Sequence, residues 1–139
     1  MSLLVVDASV VVKWFLPEIH SVAALRVASG AWTFLAPDLL DVEVTNTFWK
    51  KHRRGELTHD EGARLIDDLR HIDIAMVPHR PLLSMAFALA AAVGHPVYDC
   101  VYLALAEQND CQLVTADRRF YKAFAESKWR RRLSCIEDQ

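Results

Sequence analysis

Glycine is scarce in this chain, with four residues in 139. None is spaced as the G-x-x-x-x-G-K-[ST] loop that cradles nucleotide phosphates, and none forms the G-x-G-x-x-G turn of a dinucleotide site. No nucleophile elbow of the G-x-S-x-G kind is present either. Cysteine is equally rare. Cys100, Cys111 and Cys135 are odd in number and contain no C-x-x-C pair, which argues against a disulfide framework or a thiolate zinc site. They read as small buried hydrophobes in a reducing compartment. The apolar runs are too short, or too broken by charge, to span a bilayer. The N-terminus has no basic region followed by a signal-length apolar core. The expectation is a cytoplasmic protein with no membrane contact. An excess of one charge is also missing: the net charge is −2.

What is present is the composition of a compact globular protein, 53% hydrophobic and 24% charged. The length suits one domain over residues 1–139 with a sizeable core. Charge is uneven where its total is not. Lys50, Lys51, Arg53 and Arg54 form one basic cluster. Arg118, Arg119, Lys122, Lys128, Arg130, Arg131 and Arg132 form another. Together they hold 11 of the 16 Lys and Arg residues, the clustering expected for a polyanion partner. The competing reading is a pair of solvated helix faces.

The first strong signal is Leu3-Leu4-Val5-Val6, a run suited to a strand buried on both faces, ending at Asp7. Ligand crevices in open α/β sheets lie outside the carboxyl ends of the strands, so Asp7 stands where ligands bind. It also suits the N-cap of a helix over Ala8–Leu16, which Pro17 ends. A helix follows over His20–Ser29, then a strand over Trp32–Ala36. Asp38 caps a helix to about Arg53, with Leu40, Val44, Thr47, Phe48 and Lys51 on one face. Glu43 flanks that apolar stripe, and an acid so placed needs a partner. Asn46 lies near it on the helical wheel.

Thr58 and Glu61 form a capping-box pair for a helix to about Arg70. A strand over Ile72–Val77 and a helix over Pro81–Val93 come next. The helix Cys100–Gln108 is apolar on nearly every side, as buried helices are, and Asp99 lies in its first turn, where the helix dipole favours an anion. Gln112–Thr115 is a strand followed at once by Asp117 and a helix over Arg118–Ser127, repeating the setting of Asp7. Ser134–Ile136 completes the pattern as an edge strand. Strands alternating with helices imply right-handed crossovers and a parallel sheet with helices on both faces. Asp7, Glu43, Asp99 and Asp117 then converge on one sheet edge.

Four ionised carboxylates in one cleft raise each other's pKa values. A hard divalent cation resolves the conflict, since Mg²⁺ and Mn²⁺ prefer oxygen ligands. Such a metal activates water and stabilises phosphoryl charge, which with basic clusters reads as phosphodiester hydrolysis on a nucleic acid. Other phosphoryl chemistries fit less well. A receiver domain resembles a doubled acid at the first strand and a Lys at the last; Val6 and Thr115 stand there instead. A haloacid-dehalogenase-like site has a second Asp where this chain has Ser9.

Four blocks in order resemble the PIN-domain ribonucleases of the VapC toxin type: Asp7-Ala8-Ser9-Val10-Val11-Val12-Lys13-Trp14-Phe15-Leu16-Pro17-Glu18; Glu43 with Asn46; Val97-Tyr98-Asp99-Cys100-Val101-Tyr102-Leu103-Ala104-Leu105-Ala106; and Leu113-Val114-Thr115-Ala116-Asp117-Arg118-Arg119-Phe120. The resemblance implies a three-layer α/β/α sandwich around a central, mostly parallel sheet. It implies a metal-dependent ribonuclease in which Asp7, Glu43, Asp99 and Asp117 form the site for Mg²⁺ or Mn²⁺. Asp7 and Asp99 are the principal ligands; Glu43 completes the site or orients the water; Asp117 holds a second metal or its water. Ser9 and Thr115 match polar positions that support the site. It also implies a homodimer, a cognate antitoxin that silences the nuclease, and a higher toxin–antitoxin assembly. Transfer, ribosomal and messenger RNA all remain open as substrates. The alternative is a catalytically silent PIN-like module that binds RNA or a protein without cutting.

Overall fold

The computed structural model describes residues 2–138. The described elements are β1 (Ser2–Val6), α1 (Ala8–Phe15), α2 (Ser21–Ala28), β2 (Trp32–Pro37), α3 (Leu39–Arg53), α4 (His59–Leu69), β3 (Ile74–Val77), α5 (Leu83–Val93), α6 (Val97–Gln108), β4 (Gln112–Thr115), α7 (Arg118–Ala123) and β5 (Leu133–Cys135). The strands form one sheet in the order β3-β2-β1-β4-β5. Every pairing is parallel, so the sheet is wholly rather than mostly parallel. The architecture is a three-layer α/β fold.

The topology explains the layers. The chain steps outward from β1 to β2 to β3, then returns past β1 to β4 and β5. With right-handed crossovers, steps in opposite directions lay their helices on opposite faces. Accordingly α1 packs on α2 and α3, and α3 on α4, while α5 packs on α6. Between β1 and β4 the strand order reverses, and in such sheets ligands bind at that switch point.

The apolar residues expected from the sequence form this core. Leu4, Val5 and Val6 of central β1 are buried, as are Leu113 and Val114 of β4. Leu40, Val44 and Phe48 are the buried stripe of α3. Helix α6 buries every residue from Cys100 to Ala106, as its all-round apolar sequence requires. The Thr58–Glu61 capping box forms with both hydrogen bonds. Cys100 and Cys135 are buried, Cys111 is half-buried, and all three are free thiols. Among the described residues, no single helix is long and apolar enough to cross a membrane.

Several local expectations are corrected. Helix α6 starts at Val97, three residues before Cys100, because Pro96 sits at its N-cap, where no amide hydrogen is needed. Asp99 remains in its first turn. Helix α7 ends at Ala123 rather than Ser127, as the chain turns to bring Trp129 against Phe124 at 6.2 Å. Strand β3 starts at Ile74, since Ile72 is taken up in a turn whose carbonyl accepts the Ile74 amide. Strand β5 begins one residue early and stops at Cys135, before a short 3₁₀ turn. Asp38 does not cap α3 through its side chain. Its carboxylate accepts the His79 amide at 3.1 Å and lies 2.5 Å from His79 Nδ1, tying the end of β2 to the exit of β3. That contact holds the Asp38 carboxyl below its usual range.

The basic clusters also divide. Arg132 bonds Glu107 at 2.8 Å and Asp110 at 2.7 Å, joining the end of α6 to β5. Arg118 pairs with Glu137 and Asp138. Lys51 pairs with Glu18 at 3.0 Å, and Arg53 lies over the Trp49 ring. Arg132 is therefore structural. Arg132→Ala should lower the unfolding free energy by about 1–2 kcal/mol, as loss of a part-buried charged hydrogen bond does. Arg131→Ala, at an exposed side chain, should change it by less than about 0.5 kcal/mol. Chemical denaturation of the two variants checks the contrast; equal effects would contradict it.

Candidate active site

Asp7 leaves the end of β1 at the switch point and is 3% exposed. Burial of a carboxylate demands hydrogen-bond donors, and they come from both sides of the switch. Ser9 Oγ donates to Asp7 Oδ1 at 2.6 Å, and Thr115 Oγ1, at the end of β4, donates to Oδ2 at 2.5 Å. Each hydroxyl is aimed by a backbone amide: Ser9 Oγ accepts from Ala116 N at 2.9 Å and Thr115 Oγ1 from Asp117 N at 3.0 Å. The Val10 amide also donates to Asp7 Oδ1 at 3.2 Å. The N-cap and the cleft acid are thus one residue.

Asp117 likewise caps its helix, with Oδ1 accepting the Arg119 and Phe120 amides. Asp99 is set by α6. Its Oδ2 lies 2.6 Å from Nε2 of His95, whose ring is buried and stacks on Phe120 at 5.2 Å. Glu43, one turn into α3, meets the partner its position demanded: Tyr102 Oη donates to Oε1 at 2.5 Å. Sequence reasoning misses His95 and Tyr102 as site residues. The usable signal is spacing, since residues 95, 99 and 102 recur at helical intervals. By composition alone, Tyr102 is one more apolar residue of a buried helix.

All four acids line one cleft of about 260 Å³, together with Ala8, Ser9, Asn46, Thr47, Lys50 and Tyr102. Residues 43, 46, 47 and 50 present one face of α3 to it. Burial pushes the Asp7 carboxyl up to about 7, and Asp99's charge adds to the rise; the Ser9 and Thr115 hydroxyls oppose it. Burial also raises Glu43 and Asp99, against the lowering contacts of Tyr102 and His95 respectively.

The lining offers carboxylate and hydroxyl oxygens, the donor set of a hard cation. Among the described residues, no three carboxylate, imidazole or thiol groups stand close enough to enclose one ion by themselves. Glu43 Oε2, Asp99 Oδ1 and Asp117 Oδ2 accept no hydrogen bond among the described residues. The residues present therefore fit such an ion by donor type.

The PIN domain family model matches residues 4–125. This chain belongs to the PIN-domain family. Within it, the chain is 40% identical over 123 residues to "Ribonuclease VapC3" of Pyrobaculum aerophilum, covering 87% of this chain and 94% of that protein. The VapC type is thereby shown as well. The PIN fold is matched by PAE2754 from the same organism, with a TM-score of 0.71 at 21% identity over 99% of this chain and 91% of the other. A toxin–antitoxin complex from Klebsiella pneumoniae matches with a TM-score of 0.65 at 16% identity over 98% of each chain.

The raised Asp7 carboxyl gives this PIN domain a testable pH signature. A folded-state pKa above the unfolded value means that the folded state holds the proton more tightly. The metal-free protein should therefore lose stability as pH rises from about 4 to 7, by about 1.4 kcal/mol for each pH increment of about one. Asp7→Asn keeps a capping side chain and removes the charge. Its thermal unfolding in chelator should be as stable as wild type or more so at pH 8, with a flatter profile. A less stable Asp7→Asn with an unchanged profile would contradict the assignment.

Proposed function

We propose that this protein is a metal-dependent ribonuclease, the toxin of a toxin–antitoxin pair, that hydrolyses RNA phosphodiesters in the cleft. The carrying observation is that Asp7, Glu43, Asp99 and Asp117, drawn from four separate elements, line a single cleft. The VapC3 relative is named a ribonuclease, and a structural neighbour is a toxin–antitoxin complex; both support the reading.

Asp7 and Asp99 would hold a Mg²⁺ or Mn²⁺ ion, with Asp117 serving a second ion or its water. When bound, the cation acidifies water and neutralises charge developing on the phosphoryl group. The chain's own residues do the rest. The Ser9 and Thr115 hydroxyls fix both oxygens of Asp7. His95 holds one oxygen of Asp99 and leaves the other toward the cleft. Glu43, raised by burial, orients the attacking water and takes its proton. Lys50 stands on the cleft wall and makes no ion pair with the described residues, so its ammonium is available to a backbone phosphate.

The same reading includes RNA as substrate, an antitoxin and a second copy of the chain as protein partners, and the cytoplasm as the place of action. Large apolar side chains left in solvent support the protein contacts: Val42 and Trp49 on α3, Phe87 on α5 and Tyr98 on α6 are each at least half exposed. Val42 lines one and Trp49 the other of two cavities flanked by α3 and α4, of about 300 and 280 Å³, which suits this face to an antitoxin segment.

Purified protein with a mixed RNA pool tests the reading. Cleavage should require Mg²⁺ or Mn²⁺, stop with chelator and return with Mn²⁺. Asp7→Asn and Asp99→Asn should both cut at background level while keeping a native far-UV CD spectrum. RNA bound but never cut would favour the silent module.

Lys50 gives a second, quantitative check. Lys50→Ala should weaken RNA binding across sequences and reduce the slope of log affinity against log salt by about one. An unchanged slope would return Lys50 to the solvated face of α3.

A further inference from the structure

The mechanism leaves one buried polar contact unexplained. Tyr102 is 1% exposed, and a buried phenol hydroxyl needs a hydrogen-bond acceptor. Its acceptor is Glu43 Oε1, in α3, 59 residues away in sequence. We propose that Tyr102 is a positioning residue for Glu43, holding one carboxylate oxygen so that the other alone faces the cleft. The assignment rests on the ribonuclease reading and deepens it.

Three observations carry it. First, Glu43 is a flexible side chain at the edge of the α3 stripe, and ordering it costs rotamer entropy. Tyr102 is rigid by comparison, its ring locked among the core residues of α6. The hydroxyl transfers that rigidity to the carboxylate. Second, occupation of Oε1 leaves Oε2 as the oxygen that accepts from water or meets a cation. Glu43 then acts through one oxygen, held where either a water or a cation can meet it. Third, Asp99 and Tyr102 lie three residues apart on α6. One rigid helix therefore sets both the Asp99 carboxylate and the anchor of Glu43, so their separation follows helix geometry. This hydrogen bond ties α3 to α6 at the strand ends. Outer groups that orient ligand residues typically contribute 10–100-fold to metal affinity or activity.

Tyr102→Phe removes the hydroxyl and keeps the ring. Its kcat for RNA cleavage should fall by about 10–100-fold with KM unchanged, and its Mn²⁺ affinity, measured by electron paramagnetic resonance, should fall as well. Glu43→Gln should lower kcat, and adding Tyr102→Phe to it should lower kcat little further, because coupled residues are not additive. A structural role alone would lower the melting temperature and leave kcat and Mn²⁺ affinity in place. A wild type that cuts RNA and binds Mn²⁺ while Tyr102→Phe matches it in both overturns the assignment alone. A wild type that neither cuts RNA nor binds Mn²⁺ overturns the ribonuclease reading and the assignment with it.

Discussion

The Asp7 carboxylate is held between two hydroxyls that lie 106 residues apart in the chain. Ser9 fixes one oxygen from the start of α1, and Thr115 fixes the other from the end of β4. Both hydroxyls are themselves aimed by amides of the turn between β4 and α7. The switch point of the sheet is therefore closed by hydrogen bonds to a single acid. A charge in that position is costly to bury, and the clamp offsets only part of the cost, since the carboxyl still rises to about 7. Everything nearby follows from that constraint. Asp99 adds negative charge across the cleft, and His95 and Tyr102 hold the two other raised acids in place.

Parallel topology is what makes this convergence possible. Strand ends that carry acids all point to one edge, and helices that start at that edge carry acids in their first or second turns. The sheet needs no glycine-rich loop and no thiolate to build a polar cleft on an apolar core. Its polar lining is mostly carboxylate and hydroxyl oxygen, with Lys50 the cation on its wall. A cleft with raised carboxyls is disposed to exchange protons for a cation, which the proposed ribonuclease activity requires.

Much of this is legible in the sequence, for identifiable reasons. The run Leu3–Val6 reads as a doubly buried strand, so the place of Asp7 follows from it. Asp117 repeats that setting, and Glu43 announces its own need for a partner by flanking an apolar stripe. The identity of that partner is hidden, because Tyr102 sits in a helix that is apolar on every side, and its helical spacing ties it to Asp99 but not to Glu43. Charge patterning misleads for a related reason. Arg118 and Arg132 look like members of a basic patch, yet they are consumed by Glu137, Asp138, Glu107 and Asp110. Asp38 has the composition of a cap but finds His79 at the exit of the neighbouring strand. Tertiary partners far away in sequence decide all of these, and no local pattern records them.

The buried acids of the cleft are protonated more readily than ordinary carboxylates, and in the proposed function a divalent cation would take the proton's place. Calorimetric titration of Mn²⁺ into the metal-free protein at about pH 6.5, in two buffers of different ionisation enthalpy, measures this directly. Metal binding to a protonated ligand must expel its proton. Release of up to about one proton per protein is expected at that pH, fading toward about pH 8. Binding with no proton release, or no binding at all, would contradict it.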